Sequence, residues 1–221
     1  MIQMSRRATS RRLAAAARAL AQGLSGVALV ALAALAFAPV AHADSATTAP
    51  ITLEGQTFAA GAKVAGTPLQ LNGVGLRSAL IYKIYLAGLY LPTKSASSDD
   101  ILADTGPKRL QVRLLMDGPS DEFAKAFTGG ISKRTPPEQV AAMQSRIDDV
   151  DRTLRSIGDV KRGDVVNLDY VPAVGLTMTF NGKMVGKPVP GADLYAALLN
   201  IFIGDRAIDP RMKAGMLGTP G

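Results

Sequence analysis

Arg77 is the residue whose type and setting most plainly invite chemistry. It closes Leu71-Asn-Gly-Val-Gly-Leu-Arg77, so Gly73 and Gly75 come just before it, and an apolar, aromatic run from Leu80 to Leu91 follows with Lys83 as its one charge. Read locally, the two glycines form a flexible bend that delivers a guanidinium to the start of strands. An arginine there either pairs with a nearby carboxylate or offers a fixed, planar set of donors to a ligand anion. Tyr82, Tyr85 and Tyr90 lie in the run that follows. Alternation along a strand puts Tyr82 and Tyr90 on one face and Tyr85 on the other, so the three do not share a pocket. Asp148, Asp149, Asp151, Arg152 and Arg155 read as the solvated face of a helix, and Lys183 and Lys187 as surface charge.

Other chemistries are narrowed by composition. The chain of 221 residues has no cysteine and no tryptophan, and its one histidine is His42. Residues 1–43 read as a signal peptide. Arg6, Arg7, Arg11, Arg12 and Arg18 make a basic start, Gly23–Val40 is almost wholly small and apolar, and Ala41-His42-Ala43 has the A-x-A form of a cleavage site. Ser10-Arg11-Arg12-Leu13 resembles a twin-arginine export signal, although alanines follow where bulkier residues are expected. The alternative is an uncleaved anchor, since Ala19–Ala41 is long enough to span a bilayer. Cleavage before Asp44 puts the mature chain in the periplasm or outside the cell, with no cysteine there to carry a lipid.

Cleavage removes the histidine, and with it His/Cys zinc sites, cysteine nucleophiles and histidine-dependent triads. No metal or cofactor is expected. Acid–base work falls to Tyr, Lys, Arg, carboxylates or water. Of the net charge of +7, five charges belong to the leader's arginines, so about +2 remains, with no basic stripe for nucleic acid. No stable membrane insertion is expected after cleavage.

The elements that must position Arg77 follow from patterning. Residues 44–50 read as a flexible tail and Ile51–Phe58 as a short strand broken at Gly55. A turn-rich segment with Gly61, Gly66 and Pro68 comes next. Leu80–Leu91 reads as one strand, or two bent at Gly88, ended by Pro92. Ser97 with Asp100 opens a short helix. Lys108–Met116 is a strand with Leu110, Val112 and Leu114 on one face. Pro119-Ser-Asp-Glu122 starts a helix with Phe123, Ala126 and Phe127 on one side, stopped by Gly129-Gly130. Thr135 is the expected N-cap of a helix of about 22 residues carrying Val140, Met143, Ile147, Val150, Leu154 and Ile157, which Gly158 ends. That stripe covers the core; a heptad contact with a second protomer is the alternative.

Asp164–Val171 and Gly175–Phe180 are strands, and Asn181-Gly182 is the strongest hairpin turn, with Lys183–Val185 returning. Helices start at Pro190-Gly-Ala-Asp193 and at Asp209-Pro210. The sum is one α+β domain, residues 51–218, in which a large antiparallel sheet packs against three or four helices. The Gly73/Gly75 pair precedes a strand, not a helix, and so is no phosphate loop.

Four pieces of the chain, in order, resemble the chalcone isomerase-like proteins, specifically their exported bacterial branch. They are Leu71–Arg77 with Lys83–Pro92, the strand and helix from Arg109 to Phe127, Gly163–Tyr170 with Gly175–Lys183, and Gly191–Asp205 with Ile208–Lys213. The similarity spans roughly Ile51–Gly218. It implies an open-faced β-sandwich with a cleft between sheet and helices. In the plant enzymes of this family a phenolate closes onto an enone to give a flavanone, an arginine steadies the anion, and a threonine, a tyrosine and an asparagine complete the site.

On that resemblance Arg77 is the arginine, while Tyr85, Phe123 and Gly130 stand where the other three would be. Phe123 has no polar atom and Gly130 offers only backbone. Loss of one preorganised donor costs roughly 10²–10³ in rate, so efficient flavanone formation is not expected. Other relatives bind fatty acids, an arginine meeting the carboxylate at the end of an apolar pocket. The implied site is Arg77 and Tyr85, backed by Leu114, Phe123 and Phe127, for a small amphipathic anion such as a fatty acid. The alternatives are an intramolecular lyase or isomerase using Arg77 and Tyr85, and a structural or interaction protein of the envelope. The last predicts a filled cleft and an Arg77 paired to an acidic residue.

Overall fold

A computed structural model describes residues 49–219. The expected signal peptide, residues 1–43, lies outside them, and of the expected tail only exposed Ala49 and Pro50 lie within. Asp44–Gly221 is a compact unit in itself.

The chain runs β1 (Ile51–Leu53), β2 (Gln56–Phe58), β3 (Gly61–Val64), β4 (Thr67–Ala79), β5 (Tyr82–Leu91), α1 (Ser98–Ala103), β6 (Lys108–Leu114), β7 (Gly118–Pro119), α2 (Ser120–Ser132) and α3 (Pro137–Arg155). It continues through β8 (Asp159–Val160), β9 (Val165–Val171), β10 (Gly175–Phe180), β11 (Lys183–Val189), α4 (Ala192–Ile203) and α5 (Pro210–Met216). Seven strands form one sheet in the order β11-β10-β9-β6-β5-β4-β3, every neighbour antiparallel. The sheet curls, bringing edge strand β3 towards β6 and β9. This is the expected α+β architecture, with five helices among the described residues where three or four were expected.

Strand alternation sorts β5 between two cores. Ala87, Leu89 and Leu91 face the helices, in one buried cluster with Ile131, Ile147 and Leu198. Leu86 and Tyr90 face the other side, under Phe58 and Leu71. Full burial of each large apolar side chain is worth roughly 1.5–3 kcal/mol, and the larger, helix-side core holds most of them.

Several local expectations are corrected. Ile51–Phe58 is a hairpin rather than one broken strand, turning at Glu54 and Gly55 (φ 51° and 74°). The turn-rich segment is a second hairpin, β3–β4, with its turn at Ala65-Gly66. Of the two readings of Leu80–Leu91 the single strand holds, since β5 runs unbroken through Gly88, whose missing side chain leaves room for the Phe58 ring; its start is corrected to Tyr82, with Leu80-Ile81 in the turn.

The expected bend before Arg77 is strand throughout: Gly73 and Gly75 lie inside β4. They are needed because α5 packs directly on them. A Cβ at Gly73 would collide with the Gly215 carbonyl, and one at Gly75 with the Met212 carbonyl. α2 continues past Gly129-Gly130, because Gly130 is where Ile201 of α4 comes closest. Thr135 does not cap α3. Its N–H closes the turn leaving α2 by donating to the Ile131 carbonyl, and α3 has 19 residues with Pro136 at the N-cap. β11 extends four residues beyond Val185.

Other expectations match. The Ser97 side chain accepts from the Asp100 N–H at the start of α1, and the Asp209 side chain from those of Arg211 and Met212 at the start of α5. The stripe Met143, Ile147, Val150 and Leu154 of α3 is buried in the helix-side core. The hairpin turn at Asn181-Gly182 forms with both residues at positive φ.

Candidate functional site

A register shift in β4 decides which way Arg77 points. Leu71 pairs with Tyr90 and Gly73 with Leu89, leaving Asn72 as the extra residue of a bulge. The Asn72 amide is fixed there, donating to the Ser95 and Met216 carbonyls and accepting from the Ser95 N–H. Beyond the bulge, Gly73, Gly75 and Arg77 lie opposite Leu89, Ala87 and Tyr85, residues of the helix-side face. Paired residues of an antiparallel ladder share a face, so Arg77 stands beside Tyr85 on the side of the helices.

Between sheet and helices lies an apolar cavity of about 100 Å³. Tyr85, Val112, Leu114 and Leu168 supply its sheet wall, Phe123 and Phe127 of α2 one side, and Leu198, Ile201 and Phe202 of α4 another. Four of the five expected site residues, Tyr85, Leu114, Phe123 and Phe127, therefore line one space. Arg77 does not. It lines an adjoining groove with Asp209, Arg211 and Leu80, and Ile208 borders both spaces.

Tyr85 is one of two residues that bring a hydroxyl to the cavity wall. Its ring packs edge-on against Phe202, centroids 6.4 Å apart. No protein group among the described residues hydrogen-bonds its hydroxyl, and no polar side-chain atom there is sealed without a partner, so the hydroxyl is open to solvent or ligand. Burial raises the phenol to about 12; Arg77 and Arg134 pull it down and Asp209 pushes it up, without reversing that. At neutral pH it is a hydrogen-bond donor and not a base. The other hydroxyl on the cavity wall, that of Ser120, donates to the Arg155 carbonyl.

Arg77 is held through one nitrogen. Its Nη1 donates to the Ser78 carbonyl at 2.6 Å and lies 3.3 Å from Asp209 Oδ2, while Nε and Nη2 have no partner among the described residues. The pair is partly exposed on both sides, and Asp209 Oδ1 is committed to the N–H groups of Arg211 and Met212. Hence Arg77 retains donors that an incoming anion can use.

Asp209 was read in the sequence only as a helix start; no local signal ties it to an arginine 132 residues away. Ile201 and Phe202 were also not singled out for the site, although they belong to the apolar run of α4 whose Leu194, Leu198 and Ile201 mark its buried face. No group of three His, Cys, Asp or Glu side chains among the described residues is placed to hold a metal ion.

The chalcone isomerase-like family profile matches residues 50–218. The chain belongs to the chalcone isomerase-like family. Among solved structures it is similar to a fatty-acid binding protein of Arabidopsis thaliana, with a TM-score of 0.62 and 16% identity over 76% of this chain and 95% of that one. That likeness concerns the fold. No curated protein sequence matches. Within this fold the positions that resemblance assigned to the plant donors offer little: Phe123 presents a ring to the cavity, and Gly130 is packed on Ile201.

Proposed function

We propose that the protein binds a small amphipathic anion, such as a fatty acid, and does so in the periplasm after removal of residues 1–43. The apolar tail occupies the cavity, and the anionic head meets the Tyr85 hydroxyl and the free edge of Arg77. One observation carries this reading: the wall of an apolar cavity includes a tyrosine whose hydroxyl has no protein partner, and its neighbour across the ladder is a guanidinium with unused donors. Likeness to a fatty-acid binding protein supports it at the level of fold.

Cavity size sets a limit on the tail. A cavity of about 150 Å³ takes one benzene ring, so the roughly 100 Å³ here suits a short chain, and a longer one must part α2 from the sheet. The test is calorimetric titration of Asp44–Gly221 with octanoate, dodecanoate and hexadecanoate beside the corresponding alcohols. A charge-assisted hydrogen bond is worth roughly 1.5–3 kcal/mol, so the acids should bind at least tenfold more tightly than the alcohols, the shortest with least rearrangement. Equal affinity for acid and alcohol would remove the anion from the proposal.

A structural role is the second reading, and the contact between Arg77 and Asp209 favours it. It makes that ion pair the purpose of Arg77, so breaking the pair would lower stability and leave no ligand affinity to change. Intramolecular lyase chemistry would have to use Tyr85 as a donor, with Arg77 steadying the anion.

A further inference from the structure

Four tight two-residue hairpin turns occur among the described residues. Three of them are Glu54-Gly55, Ala65-Gly66 and Asn181-Gly182, each with both residues at positive φ and a glycine second. This is the usual solution, because glycine tolerates that backbone and small or polar residues suit the exposure. The fourth, joining β4 to β5, is Leu80-Ile81. Leu80 sits at φ 54°, in the left-handed region that bulky residues rarely adopt. Leu80 is 99% exposed, Ile81 87% and the adjoining Tyr82 60%. Three consecutive large apolar side chains thus stand largely in solvent, the first of them on a backbone that favours glycine, and none of them joins either buried cluster among the described residues.

The surroundings indicate what meets them. Leu80 borders the groove that holds Arg77, Asp209 and Arg211, and Lys83 follows Tyr82. Arg211 is exposed and forms no ion pair among the described residues. Arg77 is paired with Asp209 and Lys83 with Glu54. Three cations against two carboxylates leave positive charge behind an apolar tip. Aliphatic side chains that enter the acyl region, a tyrosine at headgroup level and basic residues behind them match the layers of an anionic bilayer surface. A protruding hairpin tip buries little area against a flat protein surface but can enter a lipid layer. No described helix is long and apolar enough to cross a membrane.

We infer that the β4–β5 hairpin docks the protein onto an anionic lipid bilayer by inserting Leu80, Ile81 and Tyr82, with Arg211 and Lys83 on the headgroups. The inference stands on the hairpin and not on the cavity.

The test is flotation of Asp44–Gly221 with vesicles of phosphatidylglycerol and phosphatidylethanolamine, beside vesicles of phosphatidylcholine alone. The parent should float with the anionic vesicles, and Leu80→Gly with Ile81→Ser should reduce its partitioning at least tenfold. That variant places glycine where the turn prefers it, so its thermal midpoint should be no lower than the parent's. Ile81→Asp alone, which leaves the Leu80 backbone as it is, should show the same loss. Arg211→Gln should weaken binding several-fold at low salt and little at high salt. Undiminished flotation of the variants, or no flotation of the parent, would overturn the inference. A concentration-dependent dimer abolished by the variants, without flotation, would overturn it too and assign the tip to a second copy of the chain. Ile81 lines neither the cavity nor the Arg77 groove, so octanoate titration of Ile81→Asp reports separately on the ligand-binding proposal.

Discussion

Arg77 and Tyr85 stand directly opposite each other across the β4–β5 ladder, on the face that carries the helices. The bulge at Asn72 makes this so, because without the extra residue Arg77 would turn to the other face of the sheet. A phenol on the wall of the apolar cavity and a cation in the adjoining groove, each with uncommitted donors, are thereby neighbours across the ladder.

Asp209 separates the two readings of Arg77. Asp209→Asn keeps an oxygen that can cap α5 but removes the charge facing Arg77. On the binding account it should raise dodecanoate affinity several-fold, measured by calorimetry, with a stability change of about 1 kcal/mol, the upper range for a solvent-accessible pair. Asp209→Ala, which also loses the cap, should cost roughly 1 kcal/mol more.

Tyr85 leaves a mark on alkaline stability. Its folded value of about 12 lies above the ordinary 10 because burial disfavours the phenolate. The group therefore contributes stability that is complete below pH 10 and is lost as pH rises towards 12. The gap corresponds to roughly 2–3 kcal/mol. Tyr85→Phe should lose less stability than the parent between pH 10 and 12 in urea melts; the losses from Tyr90 and Tyr195, also raised by burial, remain in both. Identical alkaline profiles would count against this environment for Tyr85.

Gly75 tests how closely α5 rides on β4. Gly75→Ala places a methyl against the Met212 carbonyl, backbone that cannot swing aside. We expect a loss of roughly 1–3 kcal/mol or more in denaturant unfolding. Ligand affinity should change as well, since α5 carries Asp209 at its start. Gly129→Ala, in a helix with open space around it, should be neutral or stabilising by up to about 1 kcal/mol.

The two kinds of glycine also show what could be read from sequence. Turns and caps fixed within a few residues were legible: Asn181-Gly182, Ser97 before α1, Asp209 before α5 and the stripe of α3. Gly73 and Gly75 were misread as a bend because their cause, the backbone of α5, is more than a hundred residues away. The same distance hid the Arg77–Asp209 contact. Gly130 looked like a stop signal but makes room for Ile201. Of the cavity wall, strand alternation and the α2 face grouped Leu114, Phe123 and Phe127, the family resemblance pointed to Tyr85, and Ile201 and Phe202 were missed. The placement of Arg77 in the next groove was not, since it depends on where Ile208 and α5 settle.

Arg109 and Asp169 offer a control away from the cavity. They pair across β6 and β9 through two hydrogen bonds of 2.6 and 2.7 Å, and both are largely buried. Asp169→Ala leaves the guanidinium without its partner and should cost roughly 2–4 kcal/mol in denaturant melts, with dodecanoate affinity unchanged at temperatures where the variant is folded.

The most direct test of the central claim is calorimetric titration of dodecanoate into Asp44–Gly221 and its Arg77→Gln variant. The account predicts one site in the parent and affinity at least tenfold weaker in the variant, the loss expected for one charge-assisted contact of roughly 1.5–3 kcal/mol. Equal affinity in the two proteins, or no binding to the parent, would contradict it.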